Sequence, residues 1–112
     1  MLNDSIRYQQ GELYCDQVPV RTMIEQVGTP TYVYSLKRAC ANLARIRSAF
    51  SRLSPHIHYS AKANRNHDLL RTLVQAGAGI DCVSAGEIHH ALRAGCPPEG
   101  IVRAGVGKTT DE

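Results

Sequence analysis

The chain has no tryptophan and a single phenylalanine among its 112 residues, so large aromatic side chains cannot dominate whatever core it builds. Charge of one sign is also scarce: 13 Lys+Arg stand against 10 Asp+Glu, a formal net charge of +3. With no basic run interleaved with aromatics, that balance argues against nucleic acid as a partner. No apolar run approaches the roughly 18–20 residues that a bilayer-spanning helix requires, and the opening residues 1–10 lack the apolar stretch of a secretory signal. The expectation is a cytoplasmic protein with no membrane partner. The four cysteines, Cys15, Cys40, Cys82 and Cys96, include no CxxC pair, which removes both a zinc knuckle and a dithiol redox motif. They read as free thiols, with Cys40 and Cys82 at core positions.

What is present is the composition of a globular fold, 43% hydrophobic and 21% charged. Residues 1–18 read as a loose start followed by a hairpin-like piece around Gly11-Glu12-Leu13-Tyr14-Cys15. Pro19 then precedes a helical stretch from Val20 to Val27, with Val20, Met23, Ile24 and Val27 spaced for one buried face. Gly28-Thr29-Pro30 stops it, and Thr31-Tyr32-Val33-Tyr34 reads as a strand. Ser35 suits a helix N-cap. From there Leu36, Ala39, Cys40, Leu43, Ile46, Phe50 and Leu53 repeat at helical steps, predicting one buried face up to Ser54-Pro55. Lys37, Arg38, Arg45, Arg47 and Arg52 fall mostly on the other, solvated face.

A rhythm then sets in. Strand-like runs centre on residues 57–61, 80–83 and 101–103, and helices are expected over 67–75, closed by Gly77, and 86–93, closed by Gly95. Repeated strand–helix units predict parallel strands with helical crossovers, hence an α/β fold. A complete (β/α)8 barrel takes roughly 200 residues or more. The expectation is therefore an incomplete barrel, its first βα units spanning residues 35–112, preceded by an N-terminal β/α segment over 1–34. The final Lys108-Thr109-Thr110-Asp111-Glu112 reads as the start of another helix capped by Thr109 or Thr110.

The stretch Ile57-His58-Tyr59-Ser60-Ala61-Lys62-Ala63-Asn64 stands apart from this scaffold. A β-prone run ends on one lysine, a polar Asn64-Arg65-Asn66-His67-Asp68 turn follows, and the carboxyl end of a strand is where α/β barrels keep their chemistry. A lysine is a suitable nucleophile there, because desolvation or a neighbouring cation lowers its pKa. Other motifs fail. Ala104-Gly105-Val106-Gly107-Lys108-Thr109 lacks the first glycine of a phosphate-binding loop, since Val102 holds that position. Gly77-Ala78-Gly79 is followed by Cys82 where a dinucleotide fingerprint needs glycine. His56 and His58 alternate along a strand and His89 and His90 are adjacent, so neither pair has metal-ligand spacing and no metal is expected.

Tyr59-Ser60-Ala61-Lys62-Ala63-Asn64 closely resembles the Tyr-x-x-Lys-Ala-Asn signature of the fold-type III pyridoxal-phosphate-dependent decarboxylases, built on an alanine racemase-like barrel. Thr29-Pro30-Thr31-Tyr32-Val33-Tyr34 is similar to the segment that enters the barrel in that family. Gly79-Ile80-Asp81-Cys82-Val83-Ser84-Ala85-Gly86-Glu87 matches its second-strand motif, and the piece from Ile101 to Thr109 resembles its third strand. The early Gly11-Glu12-Leu13-Tyr14-Cys15-Asp16 most resembles the branch acting on meso-diaminopimelate.

The resemblance implies that Lys62 forms an imine with pyridoxal 5'-phosphate and is the catalytic residue, with Asp81, Ser84 and Glu87 as further cofactor-site candidates. It implies decarboxylation of an amino acid substrate, foremost meso-diaminopimelate to L-lysine and CO2, by a homodimer in the full-length enzyme. Ornithine, arginine or carboxynorspermidine decarboxylation and a non-catalytic pyridoxal-binding barrel stay open. The family's phosphate cradle, substrate-carboxylate arginines and second β domain are expected beyond residue 112, so the 112 residues alone are expected to be inactive. Residue chemistry alone also gives Asp81 a strand-end role, Glu87 a dipole role and Ser84 an N-cap role. Asn64, Asn66 and His67 are read as turn and helix-start residues.

Overall fold

Three short strands lie side by side in the second half of the chain, the first two each followed by a helix that carries the chain back to the edge where the next strand starts. In a computed structural model that describes residues 4–105 and 108–110, they are β4 (His58–Ser60), β5 (Gly79–Cys82) and β6 (Ile101–Arg103), parallel and in that order. The crossovers contain α3 (His67–Gln75) and α4 (Ala85–Arg93), which pack on one face of β5 and on each other. The parallel α/β reading of the sequence therefore holds, with strand and helix bounds within a residue or two of those expected. The chain divides into two compact units, Met1–Ala39 and Cys40–Glu112.

Register decides which residues form the core. Tyr59, Ile80 and Ile101 stand level across the three strands, as do Ser60, Asp81 and Val102. The first row points to the helices, joining a cluster of Ala61, Leu70, Ile80, Cys82, Ala91, Ala94 and Cys96. Leu70, Ile80 and Cys82 are the largest side chains buried completely, and burial of a leucine or isoleucine contributes roughly 1.5–3 kcal/mol. Because successive side chains alternate, Ser60, Asp81 and Val102 face the other way.

The return from helix to strand is made the same way twice. After α3 the Gly77 N–H donates to the Val74 carbonyl (2.8 Å) and the Ala78 N–H to that of Leu73 (3.0 Å). After α4 the Gly95 N–H donates to Leu92 (3.0 Å) and the Cys96 N–H to Ala91 (3.0 Å). Both are Schellman closures, and both glycines have φ of +88°, a conformation that a side chain disfavours. Arg47 adds a clamp: its guanidinium donates to the Ala76 carbonyl at 3.0 Å and the Gly77 carbonyl at 3.1 Å, pairing a cation with the negative end of α3.

The first unit holds an antiparallel sheet of β1 (Ile6–Gln9), β2 (Glu12–Cys15) and β3 (Val18–Pro19), followed by α1 (Val20–Val27). Gln10 and Gly11, between β1 and β2, have φ of 51° and 82°, the handedness that a two-residue hairpin favours. The Ser35 hydroxyl donates to the Asp16 carboxylate (2.6 Å) and accepts from the Arg38 N–H (2.9 Å), so it caps α2 (Leu36–Ala49) as its position foretells. The Thr29–Pro30 peptide is cis.

Three expectations fail. α1 forms as expected but buries none of Val20, Met23, Ile24 and Val27, with Val27 69% exposed. Thr31–Tyr34 is no strand: it has no ladder partner among the described residues, and β propensity is realised only in pairing. The helix expected to reach Leu53 stops at Ala49, and Ser51–Leu53 forms a 3-10 turn ending on Ser54 at φ 47°. Of its apolar stripe only Leu43 is buried, while Ile46, Phe50 and Leu53 stay exposed because no described element lies over them.

A Cβ added at Gly79 would lie 2.5 Å from the Gly100 carbonyl oxygen and also press on the His58 ring. The carbonyl is backbone and cannot yield as a side chain can. Gly79→Ala should lower unfolding free energy by about 1–3 kcal/mol. Gly86→Ala, whose nearest new contact is the Ser84 Oγ at 3.8 Å, should instead be neutral or stabilise α4 by up to about 1 kcal/mol. Urea titration of the two variants measures both.

Candidate functional site

The site is built at the carboxyl edge of the parallel sheet. The Ala61 N–H donates to the Asp81 carbonyl (2.9 Å), the last rung joining the end of β4 to β5. The chain then turns, with the Ala63 N–H bonded to the Ser60 carbonyl (3.2 Å), and Lys62 sits exposed in that turn. The loop beyond is closed by its own side chains. Asn64 Oδ1 accepts from the Asn66 N–H (2.9 Å), and Asn66 Oδ1 caps α3 by accepting from Asp68 (3.0 Å) and Leu69 (3.2 Å). The Tyr59 hydroxyl donates to the Asn64 carbonyl at 3.4 Å. Asn64, Asn66 and His67 thus have the turn and helix-start places read from the sequence.

The second loop is closed in the same manner. Ser84 is the N-cap of α4, its Oγ accepting from the Glu87 N–H at 3.2 Å. Glu87 reaches back in turn, Oε2 accepting from the Val83 N–H at 2.8 Å, and is only 4% exposed. This is a capping box displaced by one residue, with the carboxylate at the positive end of the helix. Asp81 is half-buried on the sheet face that Ser60 shares. The structure therefore brings Lys62 and Asp81 to neighbouring strand ends, and ties Ser84 and Glu87 to the loop after β5.

One residue in this group escaped the sequence reading. The Ser60 hydroxyl is shut off from solvent and has no hydrogen-bond partner among the described residues. Its signal was available in the alternation that sets Ser60 two positions before Lys62, but the face it occupies emerges only once Tyr59 and Ala61 are seen in the core. Among the described residues no cluster of His, Cys, Asp and Glu is arranged for a metal ion. His89 and His90 meet edge to face, ring centroids 6.4 Å apart. Val106 and Gly107 of the loop after β6 lie outside the described residues, as do Asp111 and Glu112 of the expected last helix.

A family model described as the pyridoxal-binding domain of the pyridoxal-dependent decarboxylases matches residues 36–112. The chain belongs to that family. Its relatives include a diaminopimelate decarboxylase from Aquifex aeolicus, 43% identical over 110 residues, and one from Vibrio cholerae, 44% identical over 114 residues. The matches take in 98% and 97% of this chain and 26% of each relative, so the chain spans about a quarter of the length of these curated relatives. A crystal structure of diaminopimelate decarboxylase from M. jannaschii superposes with a TM-score of 0.88 at 33% identity, over 97% of this chain and 26% of that one. A crystal structure from Aquifex aeolicus superposes with a TM-score of 0.89 at 43% identity, covering 98% and 27%. Lys62, Asp81, Ser84 and Glu87 all fall within the part matched to the pyridoxal-binding domain.

In this family member the core beneath the site carries a thiol. Cys82 is fully buried between Asp81 and the loop to Glu87. Burial first, then the negative charges of Glu87 and Asp81 and the nearby Cys96, push its thiol up to about 11 from an ordinary 9.0. Cys96 and Cys15 are displaced upward as well, again chiefly by burial. A raised folded-state value means that the native chain keeps a proton which the unfolded chain releases above pH 9. The associated stability is complete below that pH and is lost as pH rises through about 11. Guanidinium titrations at pH 8 and pH 10.5 should show a lower midpoint at the higher pH, with a smaller drop in Cys82→Ala.

Proposed function

We propose that the chain is the amino-terminal part of a pyridoxal-phosphate-dependent decarboxylase that converts meso-diaminopimelate to L-lysine and CO2. The observation that carries this reading is Lys62 standing exposed at the carboxyl end of β4, one residue past the last rung to β5, within the pyridoxal-binding match. The substrate follows from the relatives, named diaminopimelate decarboxylases, and from the M. jannaschii enzyme solved with L-lysine. The finer fold is the first part of a (β/α)8 barrel. Its support is three parallel strands whose outer two have no further ladder partner among the described residues, with the candidate residues at the carboxyl ends of β4 and β5. The antiparallel strands within residues 1–34 belong on this reading to a second domain, the whole enzyme being a cytoplasmic homodimer. Four free cysteines suit a reducing compartment, and no helix among the described residues is long and apolar enough to cross a membrane.

The residues present fit the cofactor. An exposed primary amine at a strand end can attack an aldehyde, and an unpartnered buried hydroxyl lies on the same strand. Bound pyridoxal phosphate supplies an electron sink for the charge left when a carboxylate departs as CO2. Lys62 holds the cofactor covalently, and a short strand with a loop closed by Asn64 and Asn66 limits where its amine points. Asp81 stands level with Ser60 on the neighbouring strand and sets a carboxylate on the sheet face that the Ser60 hydroxyl shares. Glu87 and Ser84 keep the loop after β5 in place through their bonds to Val83 and to each other.

Borohydride reduction of the chain with pyridoxal phosphate, followed by peptide mass mapping, tests the assignment. The label should concentrate on Lys62 and disappear in Lys62→Ala; equal labelling of Lys37, Lys62 and Lys108 would count against it. In the full-length enzyme, CO2 release should be faster from meso-diaminopimelate than from ornithine, arginine or carboxynorspermidine.

A further inference from the structure

Ser60 closes β4 with a hydroxyl oxygen that neither solvent nor any described hydrogen-bonding group reaches. A buried hydroxyl left unpaired costs on the order of 1–3 kcal/mol, so the chain keeps it at a loss of stability. Packing does not call for an oxygen here. The next residue, Ala61, fills its place in the core with a methyl group and is 0% exposed. Register and alternation set what the hydroxyl can meet. Tyr59 and Ala61 pack toward α3 and α4, so Ser60 looks to the opposite face, level with Asp81. Lys62 follows two residues on, in the turn that the bond from the Ala63 N–H to the Ser60 carbonyl closes.

We propose that Ser60 is a cofactor-contacting residue whose hydroxyl donates a hydrogen bond to the phenolic oxygen that pyridoxal carries beside its aldehyde. The inference rests on the assignment of Lys62 above and adds a second contact from the same strand. The cofactor arrives tethered to a side chain rooted two residues away, so its ring substituents are held near β4. A step of χ1 between staggered wells is enough to swing the serine oxygen toward them. A donor removed from water bonds a charged oxygen more strongly than one in solvent, and it favours the phenolate over the phenol. The hydroxyl that burdens the free chain is thereby satisfied in the loaded one.

The experiment titrates pyridoxal phosphate into the wild-type chain, Ser60→Ala and Ser60→Thr. It follows the visible absorbance of the Lys62-bound cofactor across pH, with urea midpoints measured without cofactor. Ser60→Ala should bind roughly tenfold more weakly, the loss expected for one charge-assisted hydrogen bond. Its visible band should change at a higher pH, and its cofactor-free midpoint should equal or exceed that of the wild type. Ser60→Thr, which keeps a hydroxyl, should recover affinity and spectrum. Wild-type affinity and spectrum in Ser60→Ala would overturn the contact, and a lowered cofactor-free midpoint would reassign the hydroxyl to the fold. Absence of any Lys62 adduct in the wild-type chain overturns the lysine assignment itself, a result distinct from either.

Discussion

The bond from the Ala61 N–H to the Asp81 carbonyl, 2.9 Å long, is the constraint on which the site depends. It is the last rung between β4 and β5, and it fixes where the strand stops and Lys62 begins. A slip of one residue would exchange the two faces of the strand. Ala61 and Tyr59 would leave the core, and Ser60 would be driven among Leu70, Ile80 and Cys82. The apolar cluster therefore sets the register, and the register sets the lysine. Packing and chemistry are coupled through one backbone hydrogen bond.

Strands of three or four residues cannot hold such a register by themselves. The helices supply the rest, and their ends are closed with local bonds at every turn. Matching Schellman closures at Gly77 and Gly95 deliver the chain back to the sheet, while Asn66 and Ser84 start the helices on its opposite edge. That asymmetry matters for function. At the carboxyl edge the loops are stiffened by side chains from within them, Asn64, Asn66, Ser84 and Glu87, leaving Lys62 exposed between closed segments. At the other edge the packing is tight enough that Gly79 has no room for a methyl group beside Gly100.

The parallel sheet was legible in the sequence because glycine punctuation and apolar runs repeat, and local bonds alone place those glycines. The caps Ser35 and Ser84 were legible for the same reason, whereas Asn66, read as a turn residue, also caps α3. What failed needed partners. Thr31–Tyr34 has strand propensity and nothing described to pair with, and the stripe through Ile46, Phe50 and Leu53 records a face suited to burial without naming what buries it. Glu87 was read as a cofactor-site candidate or a dipole acid, whereas its near-complete burial and its bond to Val83 depend on how tightly the loop folds over the helix start. Ser60 was invisible for a subtler reason: an unsatisfied hydroxyl is defined by everything that fails to reach it.

The alternation of β5 also bears on which nucleophile meets an aldehyde. Ile80 and Cys82 face the core while Asp81 faces away, so a thiol and a carboxylate one residue apart occupy different environments. A thiolate would compete with an amine for an aldehyde carbon, and the thiolate is the reactive form. Burial and the neighbouring carboxylates hold Cys82 protonated up to about pH 11, and Cys96 is driven the same way by burial. Lys62, by contrast, is exposed one residue past the last rung. The carboxylates of Glu87 and Asp81 add to burial in opposing the negative form of the sulfur, while the Lys62 amine stands outside the core. Selectivity at the strand end arises from which face each side chain takes, and the apolar core decides that.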